Sequence, residues 1–332
     1  MCIRDRNNFK KIGLSALAGS LIAVSAHAGT MSVTGSASLT FSNTDDESAA
    51  DEGNGWTMGD SLTFTGSGEM DNGWNVSMMQ AITGQAAKSV TSNNVVVDMG
   101  DAGALTFAGL GGSGPVEATD DVMPTANEES WATVAGTVSG LADGSEGNNN
   151  FTYVLPEMME GLAAEVFYQP SDAAQGSSTE WKAVYTGIEG LEVGYAGGDN
   201  EDTLTNTIEN TNLWAKYTMD AFTFGIQSNE VDQQTASADT EFMAYGVSYA
   251  VSDELSVSFG ASEVEHQNSS LVDQEAAAVS FSYVSGGMTI SGSMANVDNV
   301  GGTSTVDNSG YELNVAFAVS YTHLTLPTKR IV

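Results

Sequence analysis

Residues 255–261, LSVSFGA, and residues 277–283, AAVSFSY, place an apolar side chain at every second position. Small or polar residues fill the positions between them. Side chains two positions apart lie on the same face of a β-strand, so each stretch has one apolar face and one small or polar face. In a soluble β-sandwich the apolar faces would meet in a core, whereas in a transmembrane barrel they would face lipid while the polar faces line water.

The same rhythm runs through residues 31–319 in sixteen stretches, which are joined by eight long and seven short links in alternation. The short links lie at residues 70–73, 100–103, 156–161, 189–190, 219–220, 252–254 and 285–287. The long links run roughly 42–59, 84–89, 111–148, 170–179, 198–208, 229–239, 265–274 and 297–308. The first short link contains Asn72-Gly73, a strong hairpin signal.

A chain that reverses through tight turns at one end and through long loops at the other forms an up-and-down sheet. An even strand count of this size predicts an all-β, sixteen-stranded antiparallel transmembrane barrel of the outer-membrane kind. Two soluble domains are the alternative for a chain of this length. The uninterrupted hairpin rhythm, which has no linker, favours one barrel.

The two ends of the chain differ from this pattern. Residues 7–28 resemble a secretory signal, with Lys10 and Lys11 before a short apolar run and Ala26-His27-Ala28 as a cleavage site. The apolar run, residues 12–24, is shorter than the ~20 residues that a membrane-spanning helix needs. Residues 1–6 and 319–332 resemble translated sequencing-adaptor sequence. We therefore expect the barrel to occupy residues 29–318.

The charge of the predicted mature chain is strongly negative. Residues 29–318 contain Lys88, Lys182 and Lys216, no arginine and 42 acidic residues, which gives a net charge of −39. Nucleic acids are excluded as partners because their binding needs cations that neutralise phosphate. Such a chain should attract cations and repel anions. Disorder is the alternative for this charge, but apolar residues are plentiful and regularly spaced.

Catalytic chemistry has little support in this sequence. The single cysteine, Cys2, precedes the predicted signal, so neither a disulfide framework nor a thiol nucleophile is expected after export. His266 is the only histidine of the predicted mature chain, and no serine or carboxylate pair is placed around it. We expect neither enzymatic activity nor a cofactor.

The chain resembles the trimeric general porins of the Gram-negative outer membrane. The resemblance rests on the strand count, on the longest link at residues 111–148 after the fifth strand, and on the alternating last strand, residues 311–318. It implies a homotrimer whose long loop folds into the barrel, and a last strand that the barrel-assembly machinery recognises. Two family features are missing: the mature chain has no arginine, and the long loop lacks a motif rich in Pro, Phe and Gly.

Five acids of the long loop are candidates for a negative constriction. They are Glu117, Asp120, Asp121, Glu128 and Glu129. Rings of carboxylates favour cations in narrow water-filled pores. The alternative is that these acids merely solvate an exposed loop.

The lysines are candidates for a positive counterpart. Strand parity directs Lys182 and Lys216 into the lumen, where they would either oppose the acidic loop or pair with a nearby acid such as Glu165. Lys88 lies in the second long link, where it is a candidate for an ion pair between subunits.

The outer loops carry dense acids that Ca²⁺ or Mg²⁺ would suit as oxygen ligands. They are Asp45, Asp46, Glu47, Asp51, Glu52, Asp199, Glu201 and Asp202. Such ions would bridge the loops to each other or to anionic lipopolysaccharide. Simple solvation is the alternative, because no spacing matches a twelve-residue calcium loop.

The expected function is passive diffusion of small hydrophilic solutes and ions through a channel in the cell outer membrane, with a preference for cations. One alternative is a solute-specific channel on the same barrel. The other is an acidic, calcium-binding β-sandwich adhesin.

Overall fold

The computed structural model describes residues 29–45, 55–84, 87–134, 136–137, 144–172, 176–203, 206–235 and 238–321. The predicted signal segment, residues 1–6 and residues 322–332 lie outside these ranges, as do the acids of residues 46–52. No helix within the described ranges is long and apolar enough to cross a membrane.

The described chain is built almost entirely from β-strands. The strands are β1 (Thr30–Asp45), β2 (Trp56–Glu69), β3 (Asn75–Thr83), β4 (Ser89–Asp98), β5 (Ala104–Leu110), β6 (Gly112–Ser113), β7 (Glu146–Gly147), β8 (Asn150–Val154), β9 (Leu162–Gln169), β10 (Ser178–Ile188), β11 (Leu191–Thr203), β12 (Asn206–Met219), β13 (Phe222–Gln233), β14 (Thr240–Ala250), β15 (Leu255–His266), β16 (Gln274–Ser285), β17 (Met288–Asp298) and β18 (Asn308–Tyr321).

Sixteen of these strands, β1–β5 and β8–β18, form one closed antiparallel barrel. Each of the sixteen pairs with the next barrel strand along the chain, so that β5 pairs with β8, and β1 closes the cylinder by pairing with β18. The two short strands β6 and β7 pair only with each other. The predicted fold class is therefore confirmed, and closure leaves no exposed sheet edge.

The wall of the barrel has one apolar and one polar face. Leu213, Phe259 and Met294 are 50%, 47% and 63% exposed and lie on the outer face, where lipid would cover them. The alternate positions point inward. Asn212 and Gln227 are inward-facing and fully buried, so another part of the chain covers this inner face.

The two ends of the barrel use different connections. Backbones with positive φ turn the chain at the short-turn end, for example at Gly73 (φ +83°) and Asp220 (φ +54°). In bacterial outer-membrane barrels, short turns face the periplasm and longer loops face outside. We call the opposite end the long-loop end.

Some strands extend further than the sequence predicted. The predicted long link at 198–208 is largely strand, because β11 runs to Thr203 and β12 begins at Asn206. The link at 229–239 is shorter for the same reason, since β13 runs to Gln233. Backbone hydrogen bonding continues past the apolar band, so polar side chains alone do not mark a strand end. The last strand is also longer than predicted, since β18 pairs with β1 as far as Tyr321, beyond the predicted boundary at residue 318.

An acidic rim lies on the outer face of β13–β17 near the long-loop end. Its members sit directly opposite one another across the strands, as Glu230 does with Glu241 and Glu263 does with Glu275. The rim consists of Glu230, Glu241, Glu263, Glu265, Glu275 and Asp298. Like charges placed opposite each other destabilise a sheet unless cations or solvent screen them.

Candidate pore constriction

The inner loop, residues 111–149 between β5 and β8, lies against the inside of the barrel. Residues 111–134, 136–137 and 144–149 of it are described. Val122 N donates to Gln227 Oε1 over 2.9 Å, and Ala126 N donates to Ser258 Oγ over 2.8 Å. Both acceptors alternate along their strands with exposed apolar residues, so they belong to the inner face. The loop therefore folds inward and covers the wall formed by β10 and β12–β18.

Apolar side chains seat the loop on this wall. Trp131 packs edge-on against Phe242, with the ring centroids 5.0 Å apart. Val116 is fully buried among wall residues that include Ile208 and Trp214. Burying a side chain of this size contributes roughly 1.5–3 kcal/mol, which offsets part of the entropy lost when the loop is ordered.

Side-chain amides of the wall bind the backbone of the loop. Asn212 Nδ2 donates to Val116 O over 2.8 Å, and Asn229 Nδ2 donates to Asp120 O over 2.8 Å. Gln227 Nε2 donates to the carbonyl oxygens of Thr119 and Asp120. Sequence reasoning missed these residues. The available signal was the repeated amide at every second position of β12 and β13.

The base of the loop is bound by Glu180 on β10, a second residue that the sequence did not single out. Glu180 is 1% exposed, and its carboxylate accepts hydrogen bonds from the backbone N–H groups of Val116, at 2.9 Å, and Ser145. The three ion pairs among the described residues join Lys88 to Asp60, Lys182 to Glu165 and Lys216 to Glu192, so none involves Glu180.

The five predicted acids lie on the inner loop at different depths. Asp120 is buried, Glu117, Glu128 and Glu129 are half-buried, and Asp121 is exposed. Glu117, Asp120 and Asp121 lie close enough to interact electrostatically, and Asp121 also acts on Glu129. The structure thus gathers these carboxylates on one segment inside the lumen.

Burial changes the protonation of this group. Desolvation, followed by the charges of Asp121 and Glu117, raises the pKa of Asp120 to about 8. Desolvation, followed by the charges of Asp121 and Glu128, raises the pKa of Glu129 to about 7. The negative charge of the loop therefore depends on pH in the neutral range.

A further acid lies on the wall beside the loop. Glu312 of β18 shares the inward face with Asn314, and its carboxylate is close enough to Glu128 for the two charges to repel. Sequence reasoning did not select Glu312. The alternation of the last strand was the signal that would have placed it in the lumen.

The two predicted lumen lysines are each paired with a glutamate across the neighbouring strand. Lys182 Nζ lies 2.9 Å from Glu165 Oε1, and Lys216 Nζ lies 2.9 Å from Glu192 Oε1. Glu192 also accepts a hydrogen bond from Trp214 Nε1 at 2.9 Å. Of the two arrangements considered for these lysines, the structure has the local pair.

Lys88 forms an ion pair with Asp60 of the same chain. Asp60 lies opposite Ala37 on the outer face of the barrel.

Within the described ranges, no group of three or more metal-ligating side chains is close enough to hold a metal ion.

The opposite side of the lumen is neutral. We call the inward face of β1–β4 the hydroxyl wall. It carries Thr34, Ser36, Ser38, Thr40, Ser61, Thr63, Thr65, Ser77 and Ser92. Away from the strand ends, no charged side chain among the described residues interrupts this face. Ser36 Oγ and Ser61 Oγ, for example, are 2.8 Å apart.

Between the inner loop and the short-turn end lies a cavity of about 540 Å³. Its loop side is formed by Val122 and Pro124, and its wall side includes Thr223 and the Lys216–Glu192 pair. The space is lined by polar and apolar groups together, as expected for a water-filled vestibule beneath a narrowing.

A closed barrel with an apolar exterior and a polar, loop-narrowed interior defines an outer-membrane pore protein. The model of the Gram-negative porin family matches residues 13–271. The chain therefore belongs to the Gram-negative porin family, whose members are channels of the outer membrane and not enzymes. A search of curated protein sequences gives no significant match.

Solved porin structures share the fold at low sequence identity. The trimer form of OmpT from Vibrio cholerae is 13% identical, with a TM-score of 0.68 over 88% of this chain and 100% of that one. The anion-selective porin from Comamonas acidovorans is 14% identical, with a TM-score of 0.65 over 88% and 99%. A mutant of the Rh. blastica porin is 12% identical, with a TM-score of 0.63 over 87% and 100%.

Proposed function

We propose that this porin lets small hydrophilic solutes and ions diffuse passively through a water-filled lumen, with a preference for cations. One observation carries the preference: the inner loop carries several carboxylates, while both lumen lysines are already paired with glutamates. The described lumen therefore offers an anion no unpaired lysine.

The physical basis is the field inside a narrow, water-filled passage. Carboxylates in such a passage lower the energy of a passing cation and raise that of an anion. The inner loop sets the size limit because it occupies part of the cross-section. The potential is one-sided, since the wall opposite the acids carries hydroxyl groups in place of basic residues.

Reversal potentials test this proposal directly. The purified protein is inserted into a planar bilayer that separates two KCl concentrations at pH 7, and the potential at zero current gives the permeability ratio of K⁺ to Cl⁻. We expect a reversal potential whose sign corresponds to a preference for K⁺ over Cl⁻. A reversal potential of the opposite sign would exclude the proposed selectivity.

A solute-specific channel on the same barrel is the second candidate. The cavity beneath the inner loop, which Thr223 and Lys216 help to line, is the observation that favours it. A specific channel would show a current that falls as one sugar or amino acid is added, whereas a general pore would show no saturable block. The β-sandwich adhesin is excluded by the closed barrel.

We also propose that the chain forms a homotrimer, as the solved OmpT trimer does. Polar side chains on the outer face of β2–β4 support this. Gln80 and Asn93 lie directly opposite each other there, between residues that would otherwise meet lipid. Hydrocarbon cannot satisfy such amides, whereas a second subunit can. Cross-linking in detergent measures how much trimer forms, in the wild type and in the variants Gln80→Leu and Asn93→Leu.

Lipopolysaccharide and the barrel-assembly machinery remain proposed partners. The acidic rim has no lysine among its own members, so contact with anionic lipid would need Ca²⁺ or Mg²⁺ between the two. Recognition by the assembly machinery would use β18, which completes the barrel by pairing with β1. Binding of purified lipopolysaccharide with and without a chelator tests the first of these.

A further inference from the structure

We propose that Glu180 is a positioning residue, which ties both ends of the inner loop to one point of the wall and so sets the width of the pore. The inference rests on the proposed function, because it concerns the loop that narrows the lumen. It adds a specific residue whose role is mechanical and does not depend on the sign of the ion preference.

The two arms of the loop meet at this carboxylate. Strand β6 on the outgoing arm pairs with β7 on the returning arm, and Gly114 N donates to Ser145 O over 2.7 Å. Glu180 binds the inner end of this narrow hairpin, since one oxygen accepts from Val116 N and the other from Ser145 N. One side chain thus fixes the outgoing and returning arms at the same place.

The chemistry of the contact requires a carboxylate. Each of its two oxygens faces a backbone N–H donor, and no lysine competes for them, because all three lysines of the described chain are paired elsewhere. A glutamine at this position keeps one acceptor but turns an NH₂ group toward a second N–H. The contact is therefore lost on one arm of the loop even though the side chain keeps its size.

Close packing around the Glu180 carboxylate allows a second, independent test of its role. A Cβ added at Gly114 would clash with Glu180 Oε2, so an alanine there must displace the carboxylate. The backbone of Gly114 does not have positive φ, which leaves the steric contact as the main effect of Gly114→Ala. In a Glu180→Ala background these carboxylate atoms are absent, so this steric contact is removed.

The test compares Glu180→Gln, Gly114→Ala, Glu180→Ala and the double variant Gly114→Ala with Glu180→Ala in the full mature protein. Backbone amide exchange is measured for the loop, and single-channel current is recorded in bilayers. Loss of a charge-assisted hydrogen bond should speed exchange about tenfold, at Val116 or Ser145 in Glu180→Gln and at both in Glu180→Ala, and should increase open-channel current noise. Gly114→Ala should have the same effect alone and no added effect in the double variant.

Glu165→Gln is the matched control, since it removes an inward carboxylate from the adjacent strand that contacts Lys182 and not the loop. It should leave loop exchange unchanged. Wild-type exchange and noise in Glu180→Gln and Gly114→Ala would overturn the proposal, as would additive effects in the double variant. A pore that prefers anions would instead contradict the proposed function and leave this result intact.

Discussion

The two halves of the lumen are built from the same strand pattern but are used differently. On one side, β10–β18 present amides, small residues and apolar side chains that bind the inner loop, as Gln227 and Phe242 do. On the other side, β1–β4 present hydroxyl groups that face open space. The difference shows that inward-facing polarity has two roles here: it seats a loop on one wall and lines a water path on the other.

Removing the main apolar anchor of the loop should have the largest effect on the difference between the loop-covered wall and the open wall. Trp131→Ala deletes a buried ring that packs on Phe242, at a cost of about 3–5 kcal/mol to the docked loop. We expect a larger and noisier single-channel conductance. Trp181→Ala is the control, because that ring is 42% exposed on the outer face. Equal conductances for the two variants would contradict a docked constriction.

Neutralising loop acids should remove the charge difference between the two halves. Asp121→Asn combined with Glu128→Gln should lower the K⁺ to Cl⁻ permeability ratio toward unity, because fewer carboxylates attract cations. The decrease should be at most about tenfold. Reversal potentials measure this. Glu230→Gln with Glu241→Gln removes equal charge from the acidic rim outside the lumen and should change the ratio much less. A larger change in the rim variant would place the selective charge outside the loop.

Changing the pH should sharpen the comparison, because only the loop side titrates near neutrality. The pKa of Asp120 is raised to about 8 and that of Glu129 to about 7, so both carboxyl groups lose protons as pH rises from 6 to 9. Negative charge then increases, and cation preference should increase with it. Reversal potentials at three pH values measure the trend. Asp120→Asn should flatten its upper part, and a preference that falls with rising pH would refute this assignment.

Changing a hydroxyl on the neutral wall should have the smallest effect. Ser61→Ala removes one hydroxyl that contacts Ser36 and leaves no charge altered. We expect stability to change within about 0.5 kcal/mol and the permeability ratio to stay the same. Thermal unfolding and reversal potentials check both points. A marked change in the ratio would mean that this wall binds ions specifically.

The barrel was predictable because its signal is repeated. Alternation within each strand and alternation of link lengths both survive single exceptions, so the sixteen strands could be counted from sequence. Strand ends were less predictable. Backbone pairing extends β11 through Thr203, although the side chains there are polar, because hydrogen bonds between strands do not depend on side-chain polarity.

The site was only partly predictable. Position in the chain pointed to the loop acids, and parity placed Lys182 and Lys216 inward. Glu165, the partner of Lys182, was named from the sequence as a nearby acid, but Glu192, the partner of Lys216, was not. Such partners follow from strand register, which a turn fixes only when its length is known. Glu180 carried no local signal, since its partners lie on an aperiodic loop far away in sequence.

The pairing of every lysine in the barrel has a consequence for how current flows. With no arginine and no unpaired lysine in the described lumen, the charge that balances the loop carboxylates has to come from dissolved salt. Mobile counterions then gather within about a Debye length of the acids, roughly 10 Å at 0.1 M. At low ionic strength these accumulated ions carry most of the current, so conductance should decline less steeply than bulk conductivity as the bath is diluted.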